Sequence, residues 1–362
     1  MDPVSYYNFE IGEHTVEFVL IDKTLINEEM FFFCATLISV SIPNSVKVIE
    51  NWVFDVCSSL KSIVIPDTVI SIGEIGLSTC ESLTSIKVSK NNPVYDSRDN
   101  CNALIETETN TLLIGTENTI IPDSVTSIGE GAFEGRNLLT SIVIPDSVTT
   151  IGKDAFRDCT SLESIHIGKN VVSIDKSSFT GCNKLMTIAV DIDGYYYLEN
   201  NILVSKSDYS IVFIPRNLEH IIVPENVKTL DSLGYRQMKT IILNEQLERI
   251  EYQTFENCSK LESIVIPNSV TYLGNRAFDG CSSLKSVTIG TGITSIGEQT
   301  FERCENVQYY DFTSHTSIPT LSNTNAFTNI KTGCEIRVPA ALYNDWINAD
   351  NWSTYSDYIV AI

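Results

Sequence analysis

A 23-residue segment recurs along this chain, and its fixed period restricts the possible folds more than any local pattern does. The consensus is Leu-x-Ser-Ile-x-Ile-Pro-x-Ser-Val-x-x-Ile-Gly-x-x-Ala-Phe-x-x-Cys-x-Ser. It occurs, with substitutions, at Leu60–Ser82, Leu139–Ser161, Leu261–Ser283 and Leu284–Asn306. A period of about 20–50 residues is typical of solenoids, in which each coil packs only on its neighbours. The repeat therefore predicts one elongated unit, although 362 residues would by default suggest two or three globular domains.

About twelve coils can be counted when the leading leucine of each is called position 0. They begin at Leu37, Leu60, Leu83, Thr116, Leu139, Leu162, Leu185, Leu218, Met238, Leu261, Leu284 and Val307. We predict an N-terminal cap with a degenerate half-coil over 1–36, a solenoid over 37–312 and a C-terminal cap over 313–362. The polar part of the first cap is Asp2–Glu17. In the second cap we expect a final strand, then a helix over Ala340–Ala349, with Trp346 and Trp352 covering the last coil.

The pattern within one coil predicts a β-rich fold with short helical turns. Positions 3 and 5, such as Ile63 and Ile65, form a short strand with alternate residues inward. Proline at position 6 ends that strand, because it cannot donate to a continuing ladder. We expect Gly73 at a tight corner, with a positive φ. One phenylalanine per coil, such as Phe156, then anchors a helical turn and stacks in an aromatic column.

Two coils are ten residues longer than the others, and their additions resemble each other. They begin at Leu83 and Leu185, 102 residues apart. Each contains two apolar runs around a polar turn, Glu108–Asn110 in one and Lys206–Asp208 in the other. This pattern predicts β-hairpin inserts near 92–114 and 193–214, which replace the usual corner, and a larger repeat of about four coils.

The cysteine spacing follows the repeat, which favours packing over redox chemistry. Eight of the ten cysteines occupy one repeat position: Cys34, Cys57, Cys80, Cys159, Cys182, Cys258, Cys281 and Cys304. Free cysteine behaves as a small hydrophobe, so we interpret this column as buried thiols. Neighbouring coils are close enough for disulfides on distance alone, and metal binding is a further alternative. No Cys-x-x-Cys pair supports a zinc site.

Charge and hydropathy exclude two classes of partner. The chain has 24 basic and 46 acidic residues, for a net charge of −22. We therefore expect no nucleic-acid binding, which needs clustered lysine and arginine. Apolar runs such as Met30–Ala35 are far shorter than a membrane-spanning helix, so we expect no membrane insertion. The first residues lack the basic and apolar regions of a secretory signal.

The sequence contains no motif that predicts catalysis. The four histidines (His14, His166, His220 and His315) are scattered, and we interpret each as an exposed surface residue. No phosphate-binding loop, zinc-protease motif, nucleophile elbow or calcium loop occurs. We therefore predict a protein that is not an enzyme, with no catalytic residues, no cofactor and no metal.

The outward positions of the strands are the candidate binding surface. If positions 3 and 5 point inward, positions 2 and 4 must point outward on the same sheet. Position 2 is rich in hydroxyls, and position 4 is aliphatic in most central coils. The predicted partner-binding residues are Val64, Ile120, Val143, His166, Ile222, Ile242 and Val265. Long exposed apolar patches mark interaction sites. The alternative is that β-branched residues suit strands wherever they point.

The segment Leu261-Glu-Ser-Ile-Val-Ile-Pro-Asn-Ser-Val-Thr-Tyr-Leu-Gly-Asn-Arg-Ala-Phe-Asp-Gly-Cys281 and its siblings resemble the BspA-like subclass of leucine-rich repeat proteins. The resemblance covers about Ile26 to Asn306. It implies a right-handed solenoid, an extracellular or cell-surface location, and adhesion to host matrix, other bacteria or epithelium. The chain departs from the pattern at Arg136, which replaces the column cysteine, and at four column prolines, replaced by Gly168, Asp191, Asn244 and Gly290.

The leading functional hypothesis is a non-enzymatic adhesion or recognition scaffold that binds protein or glycan partners on host or neighbouring cells. The alternative is a structural spacer or fibre module, in a phage tail or a larger surface assembly. A third hypothesis, a hydrolase, would require a carboxylate pair in a groove beside an insert.

Overall fold

The predicted solenoid is confirmed. The computed structural model describes residues 20, 22–73, 77, 79–216, 218–231 and 237–362. It has about 14 turns of about 23 residues, so the strand ladders continue beyond the twelve counted coils. At about 4.8 Å per turn, the repeat axis is roughly 65 Å long. The cap predicted over Asp2–Glu17 lies outside the described residues.

Each regular coil contributes one longer strand and one two-residue strand, and each kind stacks in parallel with its counterparts. The long-strand column contains Ser39–Ser41, Ser62–Ile65, Ser85–Val88, Ser141–Ile144, Ser164–Ile167, Thr187–Val190, His220–Ile222, Thr240–Ile242, Ser263–Val265, Ser286–Thr288, Tyr309–Asp311, Glu335–Val338 and Ile359–Ala361. The short-strand column contains Leu25–Ile26, Val48–Ile49, Ser71–Ile72, Ser127–Ile128, Thr150–Ile151, Ser173–Ile174, Thr229–Leu230, Arg249–Ile250, Tyr272–Leu273, Ser295–Ile296 and Thr320–Leu321.

The alternation predicted for the long strands is confirmed. Ile63 and Ile65 are buried and Val64 between them is exposed. The strand ends at Ile65, before Pro66. Where glycine replaces the column proline, as at Gly168, the strand also ends just before it. A Cβ on Gly168 would lie 2.8 Å from the carbonyl oxygen of Pro145 one coil earlier, so close contact between coils explains the substitution.

Gly73 was expected to need a positive φ, and that expectation was wrong. No positive φ occurs at Gly73, Gly152 or Gly274. A Cβ on Gly274 would lie 2.5 Å from the carbonyl carbon of Glu251 in the preceding coil. Glycine is therefore required here because two backbones approach closely.

The corners are hydrogen-bonded turns and not helices, because they contain left-handed residues such as Asp154 and Asp158. The phenylalanines of these turns still stack in the predicted aromatic column. Phe133 and Phe156 have ring centroids 5.0 Å apart, and Phe255 and Phe278 are also 5.0 Å apart. The thiols form a parallel column. Each of six donates to the phenylalanine carbonyl one coil earlier, as Cys159 Sγ does to Phe133 at 3.0 Å. All ten cysteines are free, as interpreted from their spacing.

Each insert is an antiparallel structure of three strands, one more than the predicted hairpin. The first contains Tyr95–Asp96, Leu104–Glu106 and Thr111–Ile114, with a short 3₁₀ helix at Arg98–Asn100. The second contains Tyr196–Glu199, Ile202–Ser205 and Ile211–Phe213. The strand Thr111–Ile114 joins the short-strand column by pairing with Ser127–Ile128.

The C-terminal cap continues the long-strand column and closes it with aromatic side chains. It contains 3₁₀ helices at Ala340–Leu342 and Trp352–Tyr358 and an α-helix at Tyr343–Asn348. Trp346 and Trp352 are buried there, as expected, with centroids 5.4 Å apart. His315 is also buried, so its predicted exposure was wrong; it lies edge-on to Phe312. His14 lies outside the described residues.

Candidate recognition surface

The outward side chains of the long-strand column form the surface proposed for binding. Six of the seven predicted residues are exposed aliphatics, with exposed fractions between 48% for Ile222 and 79% for Ile120. The seventh, His166, is half-buried. Its Nε2 atom lies 3.4 Å from Asp191 Oδ1 at the end of the next strand. The orientation of these positions therefore agrees with the alternation in the sequence.

Strand pairing brings some of these residues side by side. Val143 is directly opposite His166, and Ile222 is directly opposite Ile242. Val64 has no aliphatic neighbour at position 4, because Ser41 and Lys87 flank it. The exposed aliphatics thus form short groups and not one unbroken ribbon.

Two of the three breaks in the long-strand column lie at the inserts. The long-strand column is divided into four sheets, and the breaks include Ser85–Val88 to Ser141–Ile144 and Thr187–Val190 to His220–Ile222. Ile120 lies in the first break and belongs to no strand; its amide donates to the Cys101 carbonyl in the insert. Ile120 is exposed, as its position in the repeat predicts, but the strand expected there does not form.

From Ser39 to Thr288 the surface carries no carboxylate, although the molecule is strongly acidic. No outward position 2 or position 4 residue of a coil in this range is aspartate or glutamate. Charges at the margin are paired between coils. Lys239 Nζ lies 2.6 Å from Glu219, and Lys285 Nζ lies 2.7 Å from Glu262. The hydrogen bond from Lys239 lowers the pKa of Glu219. Such exposed pairs add little stability, but they leave the margin without a large net charge.

Hydroxyls form the second outward row, as position 2 predicts. Ser141, Ser164 and Thr187 are opposite one another in successive coils. His220 interrupts the row, and its Nδ1 atom lies 2.8 Å from Thr240 Oγ1. This row can donate and accept hydrogen bonds beside the aliphatic row. Within the described ranges, no group of three or more His, Cys, Asp or Glu side chains could hold a metal ion.

A second exposed apolar group, which the repeat pattern does not predict, lies at the end of the second insert. Ile192, Tyr195 and Tyr209 are all exposed there. Treating the insert only as a hairpin hid these residues. A comparison of the two inserts, position by position, would have identified them.

Among the described residues, no helix is long and apolar enough to cross a membrane. Comparison with solved structures shows the same architecture in two bacterial proteins. A leucine-rich cell surface protein from Faecalibacterium prausnitzii is 23% identical, with a TM-score of 0.52, over 83% of this chain and 93% of its own. A leucine-rich repeat protein from Bacteroides ovatus is 25% identical, with a TM-score of 0.55, over 87% of this chain and 82% of its own.

No curated protein is similar enough in sequence to count as a relative. A family model described as the BspA type leucine-rich repeat region matches in 6 copies, at residues 24–113, 105–221 and 208–333. These matches span most of the solenoid, including both inserts. The chain therefore belongs to the BspA-type leucine-rich repeat family.

Proposed function

We propose that this protein is a non-enzymatic recognition scaffold that binds a protein or glycan partner through the outward face of its long-strand column. The observation that carries the proposal is the contrast between this face and the rest of the molecule. Aliphatic side chains such as Val143 and Val265 are more than 60% exposed on it, and from Ser39 to Thr288 it lacks carboxylates despite the net charge of −22. Exposing such side chains in rows has no benefit for solubility or for the core.

The rigidity of the face supports the same function. Strand pairing fixes the spacing of the outward residues at about 4.8 Å per coil, so little conformational entropy is lost on binding. Because each coil contributes its own outward pair, specificity can be set by substitutions that leave the core unchanged. The name of the Faecalibacterium relative, a cell surface protein, supports the proposal that this chain also acts at a cell surface.

The proposal is tested by attachment to immobilised protein, with epithelial cells, matrix proteins, bacteria and a glycan array as probes. We expect the variant Val64→Asp/Val143→Asp/Val265→Asp to reduce attachment at least roughly tenfold, since desolvating carboxylates against a partner is costly. A matched control adds the same charge at three exposed aliphatic residues outside that face, with Ile70→Asp/Leu138→Asp/Val172→Asp. Circular dichroism establishes that both variants fold.

Equal attachment by the wild type and the first variant would contradict the proposal. The same holds if no probe attaches to the wild type. Either result would favour the alternative, a structural spacer or fibre module.

A further inference from the structure

The two inserts share backbone hydrogen bonds at equivalent positions but present different side chains to solvent. In the first, the Thr107 amide donates to the Val94 carbonyl at 2.9 Å; in the second, the Lys206 amide donates to the Tyr195 carbonyl at 2.8 Å. Val94 and Tyr195 are therefore equivalent. Each precedes a buried tyrosine, Tyr95 or Tyr196. The buried residue is shared, whereas the outward residue changes from half-buried valine to exposed tyrosine.

The turn at the end of each insert gives a second contrast. Asn110 and Tyr209 occupy the same position, with φ of 55° and 56°. Asparagine tolerates this left-handed conformation, but a bulky aromatic residue is disfavoured there. Asn110 Oδ1 also accepts a hydrogen bond from Arg98 at 2.8 Å, which fixes its turn. Among the described residues, Tyr209 makes no such side-chain hydrogen bond, and 42% of it is exposed.

Ile192 extends the exposed group. Its side chain is 89% exposed, and its carbonyl accepts a hydrogen bond from Lys206 Nζ at 2.8 Å, which ties it to the end of the insert. The corresponding position in the first long coil is Lys90. We call Ile192, Tyr195 and Tyr209 the tyrosine patch. Exposed Asp193 and Asp208 lie beside these residues in the chain.

Elsewhere in the molecule, arginine side chains cover two tyrosine rings. The guanidinium of Arg337 lies 3.8 Å from the centre of the Tyr309 ring, and that of Arg249 lies 4.4 Å from the centre of the Tyr272 ring. Both are cation–π contacts. In the part of the chain that the structure describes, neither Tyr195 nor Tyr209 has such a cation over its ring. Asp193 and Asp208 provide two carboxylates for a cation at this position, against the Lys206 ammonium at the Ile192 carbonyl.

We propose that the tyrosine patch is a second docking surface, separate from the long-strand face, for a protein segment that presents arginine beside an apolar side chain. Arginine would stack on Tyr195 and Tyr209, with its charge facing the neighbouring carboxylates. The apolar side chain would cover Ile192. Tyrosine and arginine are enriched among the residues that dominate protein interfaces, in agreement with this partner class.

The probe is a seven-residue peptide amide in which three arginines alternate with leucines, compared with the same peptide carrying neutral citrulline. The variant Tyr195→Val/Tyr209→Asn gives the second insert the residues of the first and leaves the net charge unchanged. We expect the wild type to bind the arginine peptide roughly tenfold more tightly than the variant at physiological ionic strength. Binding of the citrulline peptide should be weak and unaffected by the variant.

The thermal stability of the double variant shows whether it folds. Because asparagine suits the left-handed turn, the thermal midpoint of the variant should be unchanged or raised. Tyr252→Ser removes an exposed tyrosine elsewhere and should leave arginine-peptide affinity unchanged. Equal affinity of wild type and the double variant would overturn the proposal, because the acidic charge alone would then explain binding. Loss of binding in the Tyr252→Ser variant, or tyrosine-dependent binding of neutral glycans alone, would also overturn it.

Discussion

At the scale of single residues, Arg136 explains how the solenoid tolerates an insert. The first long coil has no corner, so a gap separates the corner of Leu77 and Cys80 from the next one. Arg136 stands at the cysteine position and is buried. It donates to the carbonyls of Leu77 and Cys80, at 2.7 Å each, and to that of Gly115 at 2.9 Å. A thiol could not reach across this distance, so the departure from the repeat is structural.

Replacing Arg136 with methionine should lower the free energy of unfolding by about 3 kcal/mol, because three buried carbonyls would lose their donors. Urea unfolding followed by circular dichroism measures the change. The control is Arg157→Met, at a partly exposed arginine, which should change stability by no more than about 0.5 kcal/mol. Comparable effects from the two substitutions would mean that Arg136 does not bridge the gap.

The cysteine column predicts a particular pattern of thiol reactivity. Burial raises the pKa of Cys57 to about 11 and that of Cys80 to about 12. Thiolate is the reactive form, so these thiols should resist alkylation near pH 8 in the folded protein. Cys34, which is less buried, should react first. After denaturation without a reductant, all ten thiols should titrate; a count near zero would show that the column is bridged.

At the scale of elements, each insert is an internal layer of the solenoid and not a surface decoration. In the first, Leu104 packs with the preceding hydrophobic cluster and Ile105 with the following one. In the second, Leu203 and Val204 are divided in the same way. Both faces of each insert are thus buried by successive blocks of coils, which explains why its strands are apolar at consecutive positions.

A buried tyrosine joins each insert to the coil before it. The Tyr95 hydroxyl accepts a hydrogen bond from the Ile72 amide at 3.1 Å, and Tyr196 has the same relation to Ile174. Tyr95→Phe should speed hydrogen exchange at the Ile72 amide and cost about 1 kcal/mol, and Tyr196→Phe should do so at Ile174. Exchange measured by mass spectrometry tests the pair. If neither substitution alters exchange at its partner amide, Ile72 or Ile174, the tyrosine hydroxyls do not hold the inserts to the preceding coils.

The C-terminal cap should weaken as the pH falls, because burial lowers the pKa of His315 in the folded protein. The unfolded chain binds a proton at about pH 6.5, whereas the folded chain binds it only at lower pH. The contribution of His315 is therefore complete above about pH 6.5 and is lost as the pH falls through the folded-state pKa. His315→Phe should reduce this dependence, measured by fluorescence of the buried Trp346 and Trp352. An identical pH profile in wild type and variant would contradict this role for His315.

At the scale of the whole molecule, the repeat predicted what is common to all coils and missed what depends on how coils meet. Ile63, Phe156 and the cysteine column were placed correctly, because period and alternation encode burial. The close approach at Gly274, the burial of His315 and the lack of a strand at Ile120 were not predictable in this way. Each depends on a neighbouring coil, insert or cap, and the pattern within one coil contains no information about it.

The candidate surface was also predicted only in part from the sequence, as the position 4 residues show. Alternation alone predicted that Val64, Val143 and Val265 would face solvent, and their exposure confirms that orientation. The pattern within one coil could not show where the long-strand column breaks, because two of the three breaks depend on how the inserts replace strand pairs. The tyrosine patch is not visible in the pattern of one coil, because Tyr195 follows the apolar pattern of a strand. Only the contrast between the two inserts, with Val94 in one and Tyr195 in the other, marks it in the sequence.

Site-specific photocrosslinking tests most directly whether the long-strand face is the recognition surface. A benzophenone amino acid is placed either at Val265 on that face or at Thr271, an exposed site on the short-strand side of the same coil. The partner identified by attachment is then irradiated with each protein. We predict a crosslinked adduct from position 265 and none from position 271. An adduct from position 271 with none from position 265 would contradict the account.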